Sequence, residues 1–309
     1  MSANMYIVSG FLGAGKTTLI RKLIDEAFGG ERVVLVENDF GEVSVDAALM
    51  RAGGVEVAEL ASGCICCSIS DDFVKSLREL LVRYKPDNVI IEPSGVGKLS
   101  DITASCSDGS IRALAGLRGA ITVVDAVRCN MYAENFGEFF EDQIANANAV
   151  VLSRCDGSPD ASGAARALVR TLNGRAPIFA EPWPALTSAS ILAPLRGGHE
   201  HKQHEHGGGE HVHDAEDVFE SVTVYSPARF NESELRLKVA ELELAGTLLR
   251  AKGLLRGRDG FWDLQYVPGD LKITRCGGGA RDGGVLCAMG RGLDPERIAE
   301  LFAGSLEAG

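Results

Sequence analysis

MYIVSGFLGAGKTTLIRKLIDEAF, residues 5–28, reads as strand, glycine loop and helix in immediate succession. MYIVS is a short apolar β run and LIRKLIDEAF repeats apolar residues at helical spacing. Between them GFLGAGKTT, residues 10–18, satisfies G-x-x-x-x-G-K-[ST]. Gly10, Gly13 and Gly15 keep Cβ atoms away from a loop whose backbone N–H groups, with those of Ala14 and Thr18, curl around phosphate oxygens. Lys16 brings a point charge to the β- and γ-phosphates, Thr17 a hydroxyl for Mg²⁺, and the helix N-terminus its dipole.

Downstream, the apolar runs RVVLVE (32–37), NVIIE (88–92), AITVVD (120–125), AVVLS (149–153) and PIFA (177–180) alternate with helical segments such as DDFVKSLRELLVRY (71–84). Strands of this kind, separated by helices, predict a mostly parallel α/β sheet with its ligand at the carboxyl ends of the strands. NVIIE ends at Glu92 within EPSG, where a carboxylate holds a Mg²⁺-bound water and Gly95 lets a backbone N–H approach the γ-phosphate. Lys16, Thr17 and Glu92 are therefore the candidate catalytic residues. AVVLS runs into SRCD, at the place of the base-reading N-K-x-D of GTPases. Asp156 there can accept from guanine N1–H and the 2-amino group, and Arg154 can stack on a purine. Ser153 and Arg154 replace Asn and Lys, so GTP is the expected nucleotide with ATP as its competitor.

Two features point to metal. SGCICCSI (62–69) offers the thiolates of Cys64, Cys66 and Cys67 to a soft or borderline ion, with a fourth ligand from Glu37, Glu42, water or a histidine. All six histidines, His199, His201, His204, His206, His211 and His213, fall in one tract whose Gly, Glu and Lys neighbours cannot form a core. Such a tract is a flexible collector of Zn²⁺, Co²⁺ or Ni²⁺. The 309 residues, with this break near position 200, suggest a domain at 1–195, a linker at 196–217 and a second domain at 218–309.

Charge and apolar content narrow the partners. With 43 acidic against 31 basic residues the formal net charge is −12, which disfavours nucleic acid and anionic membranes. No leader pattern precedes MYIVSG and no run reaches bilayer length, so a cytoplasmic protein is expected. Eight cysteines in such a chain suit reduced thiols, and Cys106, Cys129, Cys155, Cys276 and Cys287 read as small core or loop residues. Towards the carboxyl terminus VFESVTVYS (218–226) alternates as a strand, and SELRLKVAELELAG (233–246) is an amphipathic helix closed by Gly246. Strands around Leu254, 262–267 and 285–289 and a helix over 294–302 complete an α+β module without a catalytic signature, suited to client recognition or to stabilisation alone.

Taken together these residues resemble the CobW family of P-loop GTPases, in the group that also holds the HypB and UreG metallochaperones. The resemblance rests on GFLGAGKTT, NDFGEVSVD (38–46), GCICC (63–67), EPSG (92–95) and DQIANANAVVLSRCD (142–156), in that order, and on LLRAKGLLRGRDGFW (248–262) and MGRGLDPERIAELF (289–302) in the tail. It departs at Ser153-Arg154 and at Pro93-Ser94, where the family often has threonine. It implies a SIMIBI-type G domain with a smaller α+β domain, and GTP-dependent delivery of a transition metal from the three cysteines to a client metalloprotein. In that scheme GTP and Mg²⁺ order segments that include Asp39, Glu42, Glu92 and Gly95, and the histidine tract is an accessory reservoir. No arginine finger is evident in the chain, so turnover is expected to be slow unless a client or a second subunit of a homodimer supplies one. The competing expectations are an NTP-driven activator of a corrinoid or other metallocofactor protein, and a non-catalytic zinc buffer or sensor.

Overall fold

The chain runs β1 (Ala3–Gly10), α1 (Lys16–Ala27), β2 (Val33–Glu37), β3 (Glu56–Glu59), α2 (Asp71–Tyr84), β4 (Asn88–Glu92), α3 (Leu99–Cys106) and α4 (Gly109–Arg112). It continues through β5 (Ala115–Asp125), α5 (Cys129–Ala145), β6 (Ala149–Ser153), α6 (Pro159–Leu172), β7 (Ile178–Phe179) and α7 (Ser188–Leu192). The computed structural model describes residues 2–37, 56–59, 71–155, 159–197, 219–244, 246–276 and 284–306, and these fall into two compact units.

The first unit holds a seven-stranded sheet in the order β3-β2-β4-β1-β5-β6-β7, parallel at every pairing. Every residue of β2 and β6 is buried, as are Met5, Ile7 and Val8 of β1, because helices cover both faces. That is why the sequence shows unbroken apolar runs in place of alternation. β2 to β4 lie on one side of β1 and β5 to β7 on the other, so the carboxyl end of β1 opens where the winding reverses. Two strands differ from expectation. β5 begins at Ala115, five residues before the apolar run, because AGLRG still pairs with β1; β3, EVAE, has no apolar run to announce it.

The second unit comprises β8 (Glu220–Ser226), α8 (Glu232–Leu242), β9 (Thr247–Arg256), β10 (Phe261–Val267), β11 (Asp270–Cys276), β12 (Gly284–Arg291), α9 (Pro295–Leu301) and β13 (Ser305–Leu306). Its sheet, β11-β10-β9-β12-β8-β13, is antiparallel. Its own core gathers Val224, Leu235, Leu255, Leu264, Leu286 and Phe302. Asn231 and Glu234 close a capping box at the start of α8, and Asp294 caps α9 ahead of Pro295. Gly246 does not end α8, which stops at Leu242. It sits at φ 142° just before β9, where a Cβ would lie 2.4 Å from the Gly292 carbonyl oxygen. A close backbone approach, and not helix capping, requires the glycine there. β11, DLKITRC, is an edge strand with no fully buried residue, so no apolar run marks it in the sequence. Among the described residues no helix is long and apolar enough to cross a membrane.

Candidate functional site

The loop between β1 and α1 is held open by its glycines and anchored by its apolar residues. Gly10, Gly13 and Gly15 have φ of 140°, 66° and 108°, values that side chains disfavour. A Cβ on Gly10 would stand 2.3 Å from the Val123 carbonyl oxygen of β5. Phe11 and Leu12 are each 1% exposed. The Phe11 ring packs 4.5 Å from Tyr132, 5.5 Å from Phe136 and 6.0 Å from Phe140 on α5, and the Tyr132 hydroxyl donates to the Leu12 carbonyl. The loop is thus anchored by the protein's own packing. α1 opens at Gly15 with no side-chain cap, which leaves its first N–H groups for an anion. Buried Lys16 points its ammonium into the loop and donates to the carbonyl oxygens of Gly10 (3.0 Å) and Phe11 (3.4 Å). Thr17 and Thr18 follow in the first turn, Thr17 half-buried and Thr18 exposed, and Ala14 is buried.

The strand tips bring carboxylates to this loop. Glu92, half-buried, ends β4, and its in-register partner on β2 is Glu37, 6% exposed. Residues opposite one another in a parallel ladder emerge on the same face, so a candidate metal ligand and a candidate Mg²⁺-water holder are neighbours. The hydroxyl of Thr17 and the carboxylate of Glu92 are hard oxygen donors that fit Mg²⁺. Just beyond Glu92, a Cβ on Gly95 would fall 2.6 Å from Leu12 Cδ2 and 2.9 Å from the Leu12 nitrogen, so EPSG is pressed against the phosphate loop. Gln143 of α5 fixes it there: its amide nitrogen donates to the carbonyls of Gly95 (3.1 Å) and Gly97 (2.9 Å), and the residue is wholly buried.

On the other side, β6 delivers Ser153 and Arg154. Ser153 is buried, its hydroxyl 3.4 Å from the Val124 carbonyl. Arg154, at φ 57°, reaches across to the loop: one guanidinium nitrogen lies 3.0 Å from the Gly13 carbonyl and 2.6 Å from the carboxylate of Asp125. Asp125, 1% exposed, also pairs with Arg128 at 2.6 Å and accepts from the N–H groups of Val127 (3.0 Å) and Arg128 (3.3 Å). A single buried carboxylate therefore ties the end of β6, the start of α5 and the phosphate loop together. Gly15 lies between this segment and a further side chain: its Cβ position is 4.0 Å from Ser153 Cβ and 3.7 Å from Cζ2 of Trp183.

The fold thus gathers Gly10, Gly13, Ala14, Gly15, Lys16, Thr17, Thr18, Glu37, Glu92, Gly95, Ser153 and Arg154 at one end of one sheet. Asp39, Glu42, Cys64, Cys66, Cys67, Asp156 and the histidines from His199 to His213 lie outside the described residues. Among the described residues no group of three His, Cys, Asp or Glu side chains is placed to hold a metal. Cys106 is fully buried and its thiol is pushed well above its ordinary value by desolvation; burial also raises the Cys129 thiol, the more so beside Asp125. Both are packing residues, as their scatter in the sequence suggested. Asp125, Arg128, Gln143 and Trp183 were not singled out from the sequence. Asp125 ends its apolar run as Glu92 ends its own, and that shared signal could have found it; Gln143 and Trp183 carry none.

Comparison with known proteins accords with this arrangement. Residues 4–180 match the family described as "CobW/HypB/UreG, nucleotide-binding domain", and residues 219–306 match "Cobalamin synthesis protein cobW C-terminal domain". A relative named zinc chaperone CobW, from Sinorhizobium sp, is 35% identical over 312 residues, covering 88% of this chain and 84% of that protein. The zinc chaperone YjiA of Escherichia coli is 33% identical over 181 residues, spanning 56% of this chain and 55% of its own length. Among solved structures, the Zn(II)-bound YjiA GTPase from E. coli aligns over 98% of both chains at 24% identity with a TM-score of 0.47. With one family match covering more than half of its length and the second following in order, the chain belongs to the CobW family, a CobW/HypB/UreG nucleotide-binding domain followed by a CobW C-terminal domain.

Proposed function

We propose that the protein is a GTP-hydrolysing metallochaperone that holds a transition metal, Zn²⁺ before Co²⁺ or Ni²⁺, and hands it to a client metalloprotein. The observation that carries this reading is the in-register pair Glu37 and Glu92 at the tips of β2 and β4, with β4 the neighbour of β1 and its phosphate loop. A metal ligand on one strand and a γ-phosphate sensor on the next can exchange strain through a few ångströms of backbone. Nucleotide state and metal affinity are then properties of one structure. The names of the relatives, two of them zinc chaperones, support the choice of metal.

In this reading the loop from Gly10 to Thr17 binds the phosphates, with Lys16 turning its ammonium from the loop carbonyls to the β/γ oxygens. Thr17, and Glu92 through water, would hold Mg²⁺, which would supply positive charge opposite the transferring phosphoryl group. Gly95, held by Gln143, presents its N–H to the γ-phosphate, and loss of that phosphate releases the strand-tip segment. Cys64, Cys66 and Cys67 are the proposed cargo ligands with Glu37 or Glu42, and the histidine tract is the reservoir. Asp39 and Asp156 are proposed nucleotide contacts, Asp156 selecting guanine. The domain limits 1–195 and 218–309, the cytoplasmic location and the supply of an arginine by a client or second subunit belong to the same proposal.

The test is Zn²⁺ affinity, measured by competition with a chromophoric chelator on protein lacking residues 199–213, with Mg²⁺ and either a non-hydrolysable GTP analogue or GDP. Tightening of at least about tenfold in the GTP-like state, about 1.4 kcal/mol of coupling, is the expected result. Equal affinities would sink the coupling and leave an NTP-driven activator or a passive zinc buffer.

A further inference from the structure

Beyond the motif residues, the structure sets one aromatic side chain beside the phosphate loop. Trp183 follows β7 in a turn closed by the N–H groups of Ala185 (2.8 Å) and Leu186 (3.2 Å), both donating to the Pro182 carbonyl. The turn is fastened to α1. The Ser188 N–H donates to Glu26 at 3.1 Å, and the Ser188 hydroxyl shares its one hydrogen between Glu26 at 3.0 Å and the Lys22 carbonyl at 3.1 Å. Beneath the turn, Leu186 and Ile191 are buried in the sheet core, and Trp183 packs against that core while staying partly exposed.

The exposed part of the indole walls a cleft of about 350 Å³ whose other side is α1, lined by Thr18, Arg21, Lys22, Asp25 and Glu26 together with Pro184. That volume falls within the range of small-molecule clefts. The cleft begins at the first turn of α1, where a phosphate chain cradled by the loop would end. Trp183 and Ser153 approach the Cβ position of Gly15 to 3.7 and 4.0 Å, so the indole and the base-reading segment flank the same point. An indole in that place has no hydrogen-bonding task in the loop. What it offers a ligand leaving the loop at Gly15 is an aromatic face.

We infer that Trp183 is a wall of the nucleoside subsite, its indole stacking against the purine of a nucleotide whose phosphates occupy the Gly10–Thr17 loop. This rests on the nucleotide reading of that loop. Stacking does not depend on the pattern of donors and acceptors, so Trp183 contributes affinity for guanine and adenine alike and leaves discrimination to other groups. It also accounts for how a chain with Ser153 in place of the usual asparagine retains hold of a base.

The chain has two tryptophans, and the other, Trp262, lies in the core of the second unit. In Trp262→Phe protein the emission of Trp183 is a single-site reporter. Saturating GDP is expected to quench it, and a GDP carrying a fluorescent acceptor on the ribose to receive its energy. Trp183→Ala is expected to weaken GDP and ADP binding by roughly fivefold or more, Trp183→Phe to restore most of the loss, and both to bind inorganic pyrophosphate as the parent does. Unchanged Trp183 emission at saturating GDP, or GDP affinity unaltered in Trp183→Ala, would overturn the inference while leaving the nucleotide site standing. Failure of the parent protein to bind any nucleotide would overturn both.

Discussion

At Gly10 there is no room for a methyl group: φ is 140° and the Val123 carbonyl oxygen sits 2.3 Å from where a Cβ would be. Gly10→Ala is expected to cost on the order of 1–3 kcal/mol from backbone strain alone, with a further cost from the clash, read as a lowered urea midpoint and lost nucleotide binding. Asp125 is the other residue on which several elements converge. Its removal would leave Arg128, 10% exposed, and Arg154, 30% exposed, without their carboxylate. Asp125→Ala is therefore expected to lower stability by about 3–5 kcal/mol, and Arg154→Ala, whose loss leaves the Asp125–Arg128 pair intact, by clearly less. Equal effects in equilibrium unfolding would mean that the Arg154 contact to Gly13, and not the buried carboxylate, organises the site.

Two elements are placed by side chains that reach across to them. The Glu92–Gly95 segment is held by the amide of Gln143, and Gln143→Leu would leave the Gly95 and Gly97 carbonyls without that donor, at about 1–3 kcal/mol each. For the proposed GTPase cycle the expected kinetic outcome is slower hydrolysis with little change in nucleotide affinity, because the phosphate loop itself keeps its aromatic anchors; a rise in Kd with unchanged turnover would refute the assignment. The turn bearing Trp183 is held by Glu26, whose carboxyl lies below its ordinary value of 4.5, first through its hydrogen bond from Lys22 and then through the Ser188 N–H. A carboxyl whose folded value is depressed stabilises fully above its unfolded value and loses that contribution as pH falls through the folded one. The thermal stability of the P-loop unit should therefore fall as pH drops below 4.5, and Glu26→Gln should flatten part of that fall.

For the whole molecule, each compact unit has its own core: the first around β1, β5 and α1, the second around β9, β10, β12 and the two helices of its sheet. A fragment spanning 219–309 is expected to refold in a single cooperative step with the far-ultraviolet signature of an antiparallel sheet; a fragment without a transition would show that the second core needs the first. Burial also sorts the thiols. Native protein should protect Cys106 and Cys129 from alkylation until it unfolds, whereas half-buried Cys155, Cys276 and Cys287 should react earlier.

The sequence by itself determined the phosphate loop, the parallel sheet and the order of the strand-tip motifs. Those depend on local rules: glycines where φ must be positive, unbroken apolar runs where a strand is covered on both faces, and polar residues where the run ends. β2, β4 and β6 could be read almost to the residue for that reason, while β3 and β11, which lack an apolar run, could not. Only the tertiary structure decided that Glu37 faces Glu92, that Asp125 joins Arg154 to Arg128, that Gln143 holds Gly95, and that Trp183 stands beside Gly15. Each joins residues that strand pairing and helix packing bring together. Nothing in the composition of either segment records such a pairing.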